Sequence, residues 1–589
     1  MQAVNSQLTN FIGTSNIQYS IPIFQRPYSW ECDDVIKLLE DIIAVSRDDK
    51  RPCHFIGSVI YLSETQFASK IKLCSVIDGQ QRLTTLSLIL LALCNYSRTY
   101  YSAEKYKEAD TGYNQICESY IINKFEKGDL RYKLKLSGDD FTSYKKIIEI
   151  ENSKENSRKE TIEIADRLKT NRVYSNFIFI CNYLSKNKTD PQQVINGIRK
   201  ILLVDIPLVP EDNAQLVFET VNSTGKPLTE AQKIKNYILM TVPTDDQDEL
   251  FYECWHPMEQ GLTANDFDEF FRYYMTVKLE KQVSKQYYEV FKGYAKKCGI
   301  NTLNIVKEIK RYFDHYIRWK NAEKSNNTID RIIANIKSTK QYKVTPVILK
   351  VLNDLHDGKC TSSQAQNVLK IIESYWMRRI ICGFPSNTAG TVCFNMLRNT
   401  GNTNYVDDFI QGIYELTWAQ RMPDDNDVKL KLYEVDIYGK GFERILLDRM
   451  EAHENKDYIH SSNHSIEHIM PQTIQSHEDL YNRKDLSDTQ KEKLDWATDL
   501  GENWQQIHKK YCNTIGNLTL SGFNSEYKNY RFMYKKEMKN GYKESPIRLT
   551  SKTVAKKEKW NEEEIKERSD EMAKIICDIW RYPRKSSKI

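Results

Sequence analysis

Two short runs near the C-terminal end hold residue types that together could hydrolyse a phosphodiester. The first is Ser465-Ile466-Glu467-His468-Ile469-Met470-Pro471-Gln472, and the second, about fifty residues later, is Ile515-Gly516-Asn517-Leu518-Thr519-Leu520, followed by Ser521-Gly522-Phe523-Asn524. That reaction needs an activated water, a cation to offset charge on the pentacovalent phosphate, and help for the departing oxyanion. An imidazole titrating near pH 6.5 can take a proton from water at neutral pH, which is the role His468 suits. Glu467 and Asn524 carry the hard oxygen donors that Mg²⁺ or Mn²⁺ prefers, with the remaining positions left to water and phosphate. Such a cation acts chiefly as a Lewis acid. Asn517 is expected to orient the His468 ring through a hydrogen bond. Singly, Glu467-His468 is also an ordinary strand pair and Gly516-Asn517 an ordinary turn; their order, with Pro471 and Gln472 beside one and Lys528 beyond the other, favours the site.

A second constellation lies in the N-terminal half, at Val76-Ile77-Asp78-Gly79-Gln80-Gln81-Arg82-Leu83-Thr84. Gly79 permits a tight turn, the amides after it face outward at a helix N-terminus, and Arg82 can grip an anionic oxygen. That suits a triphosphate or a DNA phosphate, with Asp78 able to hold Mg²⁺ or orient a water; alone, Gly79 and Arg82 could merely cap a helix, and the flanking motifs favour the nucleotide site. Upstream, Ile21 to Trp30 places Arg26, Tyr28 and Trp30 close together. Two readings stay open for them: a pocket that inspects a modified base or backbone, or a hydrophobic seam seating the first helix. Downstream, Phe218 to Leu228 includes Asn222 and Gly225, and Lys235-Asn236 follows; these are candidate supports of a nucleotide site.

The Glu-His-Ile-Met-Pro-Gln run, the Ile-Gly-Asn-Leu-Thr-Leu run and the following Asn resemble the HNH nuclease half of GmrSD-type, modification-dependent (type IV) restriction enzymes. They are also similar to the HNH domains of type II CRISPR effectors. The resemblance implies a ββα-metal fold for roughly the last 150 residues. The N-terminal runs, with Phe218 to Leu228 and Lys235-Asn236, resemble the nucleotide-hydrolysing half of the same family over most of residues 16 to 240, and imply a fold related to ParB and sulfiredoxin. The family implies GTP, UTP or a related triphosphate and a divalent cation. One departure is Gln232, which stands where the resemblance calls for an acidic residue and puts nucleotide turnover in question.

The elements that must position these groups are legible in part. A helix is expected after Ser29 as N-cap, with Val35, Leu38, Leu39 and Ile42 on one face. Phe55 to Leu62 and Ile71 to Ile77 read as paired strands, and a Leu-rich helix follows from about Arg82 to Leu93. Residues from about Asp129 to Lys200 read as surface helices or an insertion, Leu202 to Pro210 as a short buried strand, and Thr229 to Gln232 as a capping box. Between about Pro243 and Met422 lie long amphipathic helices whose aromatics, Tyr273, Tyr274, Tyr287 and Tyr288 among them, fit a core better than a base-stacking face. The expected architecture is α+β and mainly helical: a ParB/sulfiredoxin-like domain over 1–242, a helical connector over 243–423, and an HNH ββα-metal domain with a basic tail over 424–589.

Composition is compatible with this and excludes other classes. At 589 residues and 40% hydrophobic content the chain can bury more than one core. No apolar run reaches membrane-spanning length and Met1 to Asn10 lacks the pattern of a secretory signal, so a cytoplasmic protein without a membrane partner is expected. Thirteen cysteines with no C-x-x-C pair argue against a zinc knuckle or a disulfide framework. Net charge is only +5, but Ser525 to Ile589 carries 18 Lys and Arg against 11 Asp and Glu, an excess of 7. That tail could supply phosphate contacts or form a solvated helical face. Six of the ten histidines fall between His453 and His508; His460, His464, His477 and His508 are expected at the surface.

The sequence therefore points to a metal-dependent endonuclease for foreign, modified DNA, licensed by a nucleotide-binding sensor in anti-phage defence. A nucleotide-gated DNA-binding protein without catalysis and an RNA-cleaving toxin of the same fold are the alternatives. A homo-oligomer is left open.

Overall fold

The computed structural model describes residues 3–64, 70–155, 170–209, 212–222, 228–242, 244–283, 285–298, 302–325, 327–401, 403–455 and 463–585. Gly225 and His460 lie outside them. The protein is α+β and mainly helical. It divides into two compact units, Met1–Asp268 with Tyr288–Lys307, and Glu269–Tyr287 with Glu308–Ile589.

The first unit is built on a six-stranded mixed sheet: β1 (Val4–Gln7), β2 (Ile17–Ser20), β3 (His54–Glu64), β4 (Lys72–Asp78), β5 (Leu134–Lys135) and β6 (Ile201–Leu208), in the order β1-β6-β3-β4-β2-β5. The two strands expected from the alternating runs form β3 and β4, paired antiparallel. Helix α1 (Cys32–Arg47) follows the Ile21–Trp30 segment. Its cap is Glu31, in a reciprocal capping box with Asp34, rather than Ser29, whose amide is bonded to Gln81 Oε1 at 2.8 Å. Helix α2 (Gln80–Tyr100) is longer than the Leu-rich run suggested and is buried on nearly every face, as its continuous apolar stretch demands.

Helices α3 (Arg172–Lys186) and α4 (Pro191–Arg199) lie in the segment read as surface or insertion. Instead Val173, Phe177, Ile180, Leu184, Val194, Ile195 and Ile198 are core residues alongside α2. The two helices themselves carry only Arg172, Lys186 and Arg199 as charged residues, and the strong charge of the wider segment concealed their apolar stripes. Helices α5 (Ala214–Asn222), α6 (Glu230–Met240) and α7 (Tyr288–Cys298) also belong to the first unit. The Thr229/Gln232 capping box opens α6 as expected.

The second unit is helical around a two-stranded antiparallel sheet, β7 (Ser465–His468) with β8 (Leu518–Ser521). Helix α8 (Glu443–Glu454) precedes β7, the short α9 (Asn524–Tyr527) follows β8, and α10 (Glu562–Ile579) packs behind the turn leading into β8. Residues Ile515–Asn517, expected as strand, form a 3₁₀ turn. The Lys-rich helix expected from Asn524 is interrupted at Lys528, whose φ of +47° ends α9, and resumes over Phe532–Glu537. Among the described residues no helix is long and apolar enough to cross a membrane.

Candidate functional sites

In the second unit the strand register brings the expected residues together: Glu467 faces Thr519 and His468 faces Leu518 across the hairpin. Asn524, the first residue of α9, donates from Nδ2 to the Ile466 carbonyl at 2.8 Å. The third element is thereby tied to β7 one residue before Glu467. Among the described residues neither Asn524 Oδ1 nor Glu467 Oε2 takes part in a hydrogen bond, whereas Glu467 Oε1 is engaged twice. It accepts from Lys535 Nζ at 2.6 Å and from Tyr542 Oη at 3.0 Å.

Lys535 also donates to the backbone carbonyls of His468 at 3.0 Å and Ile469 at 3.1 Å. All three side chains are buried. Burial raises the Glu467 carboxyl above its ordinary value and lowers the Lys535 ammonium, and their contact opposes both shifts. With three oxygen acceptors around one ammonium, the ion pair is the form this geometry accommodates. Nothing in the Lys-rich composition of this stretch distinguished Lys535 from its solvated neighbours.

His468 is 7% exposed. Its Nε2 lies 3.1 Å from Asn513 Oδ1, and the Tyr438 ring meets it edge-on with centroids 4.4 Å apart. With an amide oxygen facing Nε2, that nitrogen carries the hydrogen and Nδ1 keeps its lone pair. Burial lowers the imidazole below its usual value, against the opposing effect of Asn513, so the neutral, proton-accepting form prevails at neutral pH.

The bond expected from Asn517 to this ring is not made, because the Asn517 amide is fully used elsewhere. Its Oδ1 accepts from the Met470 amide at 2.8 Å and Trp560 Nε1 at 3.0 Å, and its Nδ2 donates to the carbonyls of Met470 and Cys512, both at 2.8 Å. Asn517 staples the end of β7 to the turn before β8. The neighbouring Arg568, wholly buried on α10, holds the same turn through the Gly516 and Leu518 carbonyls at 2.7 and 2.8 Å. His508, expected at the surface, is half-buried with Nε2 2.9 Å from the Pro471 carbonyl. Among the described residues no three His, Cys, Asp or Glu side chains cluster as a metal cage.

In the first unit, Asp78 ends β4 and Gly79 caps α2 with φ +95°. A side chain there would press on the Ser58 carbonyl and Val59, each 3.0 Å from the added carbon. The first amide to close the helix is that of Leu83, on the Gly79 carbonyl, so those of Gln80, Gln81 and Arg82 are the open ones of an N-terminus. Arg82 crosses to β3: it donates to the Ile56 carbonyl at 2.8 Å and to Asp78 at 3.0 Å, and lies over Gly57. Gln81 is buried and holds the Ser29 amide, whereas the Gln80 side chain is half-buried.

Tyr28 is buried, with its hydroxyl 2.7 Å from Thr85 of α2 and 3.2 Å from Asn176 of α3, and its amide bonded to Asp140. Trp30 packs partly buried against the same core. These are the contacts of a seam. Arg26 alone of the three makes no hydrogen bond or ion pair among the described residues, and it is half-buried.

Helix α5 rests on β4 through Phe218, which packs with Phe24, Ile60 and Ile77. Asn222 ends that helix. Lys235 is engaged with Glu259 at 3.0 Å, where Trp255 also donates. Asn236 is 3% exposed, and its Oδ1 has no partner among the described residues. Gln232, at the position where an acid was expected, caps Thr229.

Comparison with known families agrees in both halves. Residues 8–239 match the N-terminal domain of the GmrSD restriction endonuclease, and residues 422–575 match the C-terminal domain of GmrSD restriction endonucleases. No curated protein matches the chain.

Proposed function

We propose, from the premise that this chain belongs to the GmrSD restriction endonuclease family, that its nuclease activity resides in an HNH-type ββα-metal site at His468. The substrate is DNA, foreign and modified, and a ParB/sulfiredoxin-like N-terminal half that binds a nucleoside triphosphate licenses the cut. The observation that carries this reading is the His468 imidazole: buried, biased toward its neutral form and fixed at Nε2 by Asn513, with Nδ1 free to take a proton from water.

The residues present fit a divalent cation. Glu467 Oε2 and Asn524 Oδ1 are unengaged hard oxygens on two elements joined by the Asn524 to Ile466 bond. Two protein oxygens, with water and phosphate supplying the rest, is the style of ligation Mg²⁺ or Mn²⁺ accepts. When bound, the cation would supply Lewis acidity toward the scissile phosphate and leaving oxygen. Lys535 and Tyr542 fix the other carboxylate oxygen and so set the direction of Oε2. Asn517 acts at one remove, by holding the strand end that presents His468.

In the N-terminal half, the open amides at Gln80 to Arg82 and the Arg82 guanidinium form the phosphate end of the triphosphate site, GTP, UTP or a related nucleotide being the ligand. Arg26, unengaged beside the buried Tyr28, is the group left to meet a DNA phosphate or a modified base.

One observation favours a reading without catalysis: Lys535 already neutralises Glu467. Cleavage reactions on modified DNA and on tRNA in parallel, with Mg²⁺ or Mn²⁺ and each triphosphate, separate the readings. DNA cleavage supports the assignment; cleavage of tRNA alone supports the toxin, and divalent-independent binding without cleavage of either supports a DNA clamp.

A further inference from the structure

Helices α5, α6 and α7 enclose a cavity of 240 Å³ lined by Phe218, Glu219, Leu228, Asn236, Tyr237 and Tyr288, among others. It is below the roughly 300–1,000 Å³ of common small-molecule sites, so it has room for a ring system and not for a nucleoside triphosphate. One wall connects it to the phosphate end described above, because Phe218 packs on Ile77, two residues before Gly79.

Its polar character is specific. Asn236 is 3% exposed, yet among the described residues Oδ1 has no hydrogen-bond partner and Nδ2 makes no bond. A buried amide left unpaired costs about 1–3 kcal/mol, which a ligand presenting a donor beside an acceptor would recover. The opposite wall is Glu219, which accepts from Tyr288 Oη, from Gln215 at 3.0 Å and from Lys292 at 3.0 Å. Against the cost of its burial, those bonds hold its carboxyl below the ordinary value, so it is ionised.

Lys292 is shared between Glu219 and Glu289, and Lys233 is paired with Glu230. The wall is therefore net negative and repels phosphate, while Phe218, Tyr237 and Tyr288 line the cavity with aromatic surface that suits a planar ring.

We propose that this cavity is the nucleobase pocket of the triphosphate site, with the Asn236 amide reading a donor-acceptor edge of the base while the phosphates lie outside at Gln80 to Arg82. The proposal rests on the nucleotide-binding reading and adds to it the residue that selects the base. A paired amide and base edge discriminates in the way Asn and Gln do on adenine, where the second bond is lost with the wrong base.

The test is calorimetric titration of the full-length chain with GTP, UTP, ATP and CTP, and with inorganic tripolyphosphate as a probe lacking a base. Asn236→Ala is expected to weaken the preferred nucleotide about tenfold or more and to flatten the ranking of the four, while tripolyphosphate binds as to wild type. Met240→Trp, which fills the cavity from the next turn of α6 and leaves the Asn236 amide itself in place, is expected to do the same. Unchanged tripolyphosphate binding shows that both variants are folded. Unaltered nucleotide affinity and ranking in both variants would overturn the base pocket and leave the phosphate site standing. Failure of the wild-type chain to bind any triphosphate would overturn both.

Discussion

Lys535 Nζ lies 2.6 Å from Glu467 Oε1 with both side chains excluded from water, and the same ammonium holds the carbonyls of His468 and Ile469. One cation thus orients a carboxylate oxygen and the strand end beside it. Removing either charge leaves its partner buried and unpaired, at a cost of about 3–5 kcal/mol.

Lys535→Met should therefore lower the thermal midpoint of the C-terminal unit by several degrees. The double variant Glu467→Gln with Lys535→Met should recover part of that loss, since no lone charge remains. Calorimetric unfolding of the three proteins checks it; a single variant as stable as wild type would show that the pair is not a stabilising tie.

The acid limb of DNA cleavage should fall below pH 6.5. Burial lowers His468, so the imidazole is neutral and base-competent above its displaced value and becomes protonated and inactive only at lower pH. Asn513→Ala should move the limb lower still, because that bond opposes the shift. It should also slow cleavage by about 10- to 100-fold, as loss of a ring-orienting partner does. A rate that rises with acidity would contradict His468 as the proton acceptor.

Arg82→Ala should abolish triphosphate binding without unfolding the domain. Gly57→Ala should mimic it, since the added carbon would stand 1.9 Å from Arg82 Nη1 at a backbone φ of +101°. Undiminished binding by both variants in calorimetry would remove Arg82 from the site.

What the sequence revealed and concealed follows from range. The register placing Glu467 and His468 on one strand, the Gly79 turn and the Thr229 capping box are local, set by alternation, chirality and a three-residue spacing, and they were readable. Asn513 was not, because it sits in a turn whose bond to His468 bridges 45 residues. Lys535 and Tyr542 reach Glu467 across 68 and 75 residues, and in composition Lys535 is one lysine in a basic tail. Asn517 is expected from the sequence to orient the His468 ring, yet its partners are backbone groups and Trp560 rather than the imidazole. The helix Arg172–Lys186 was hidden for a related reason: the charged stretch before it in the chain obscured a face that only the packing against α2 reveals.

Asn517→Ala should be among the most damaging substitutions of an uncharged residue, since the Met470 amide and carbonyl, the Cys512 carbonyl and the Trp560 indole all lose their partner. Loss of cleavage accompanied by a lowered thermal midpoint is expected. Cleavage lost at full stability would point instead to direct participation in the reaction.

The most direct test of the central claim is the rate at which full-length chain converts supercoiled, modified plasmid to nicked or linear product with Mg²⁺ or Mn²⁺ and triphosphate, compared with His468→Ala. The account predicts a loss of about 10²- to 10⁴-fold in a variant that unfolds at the wild-type temperature. Equal cleavage by the two proteins would contradict it.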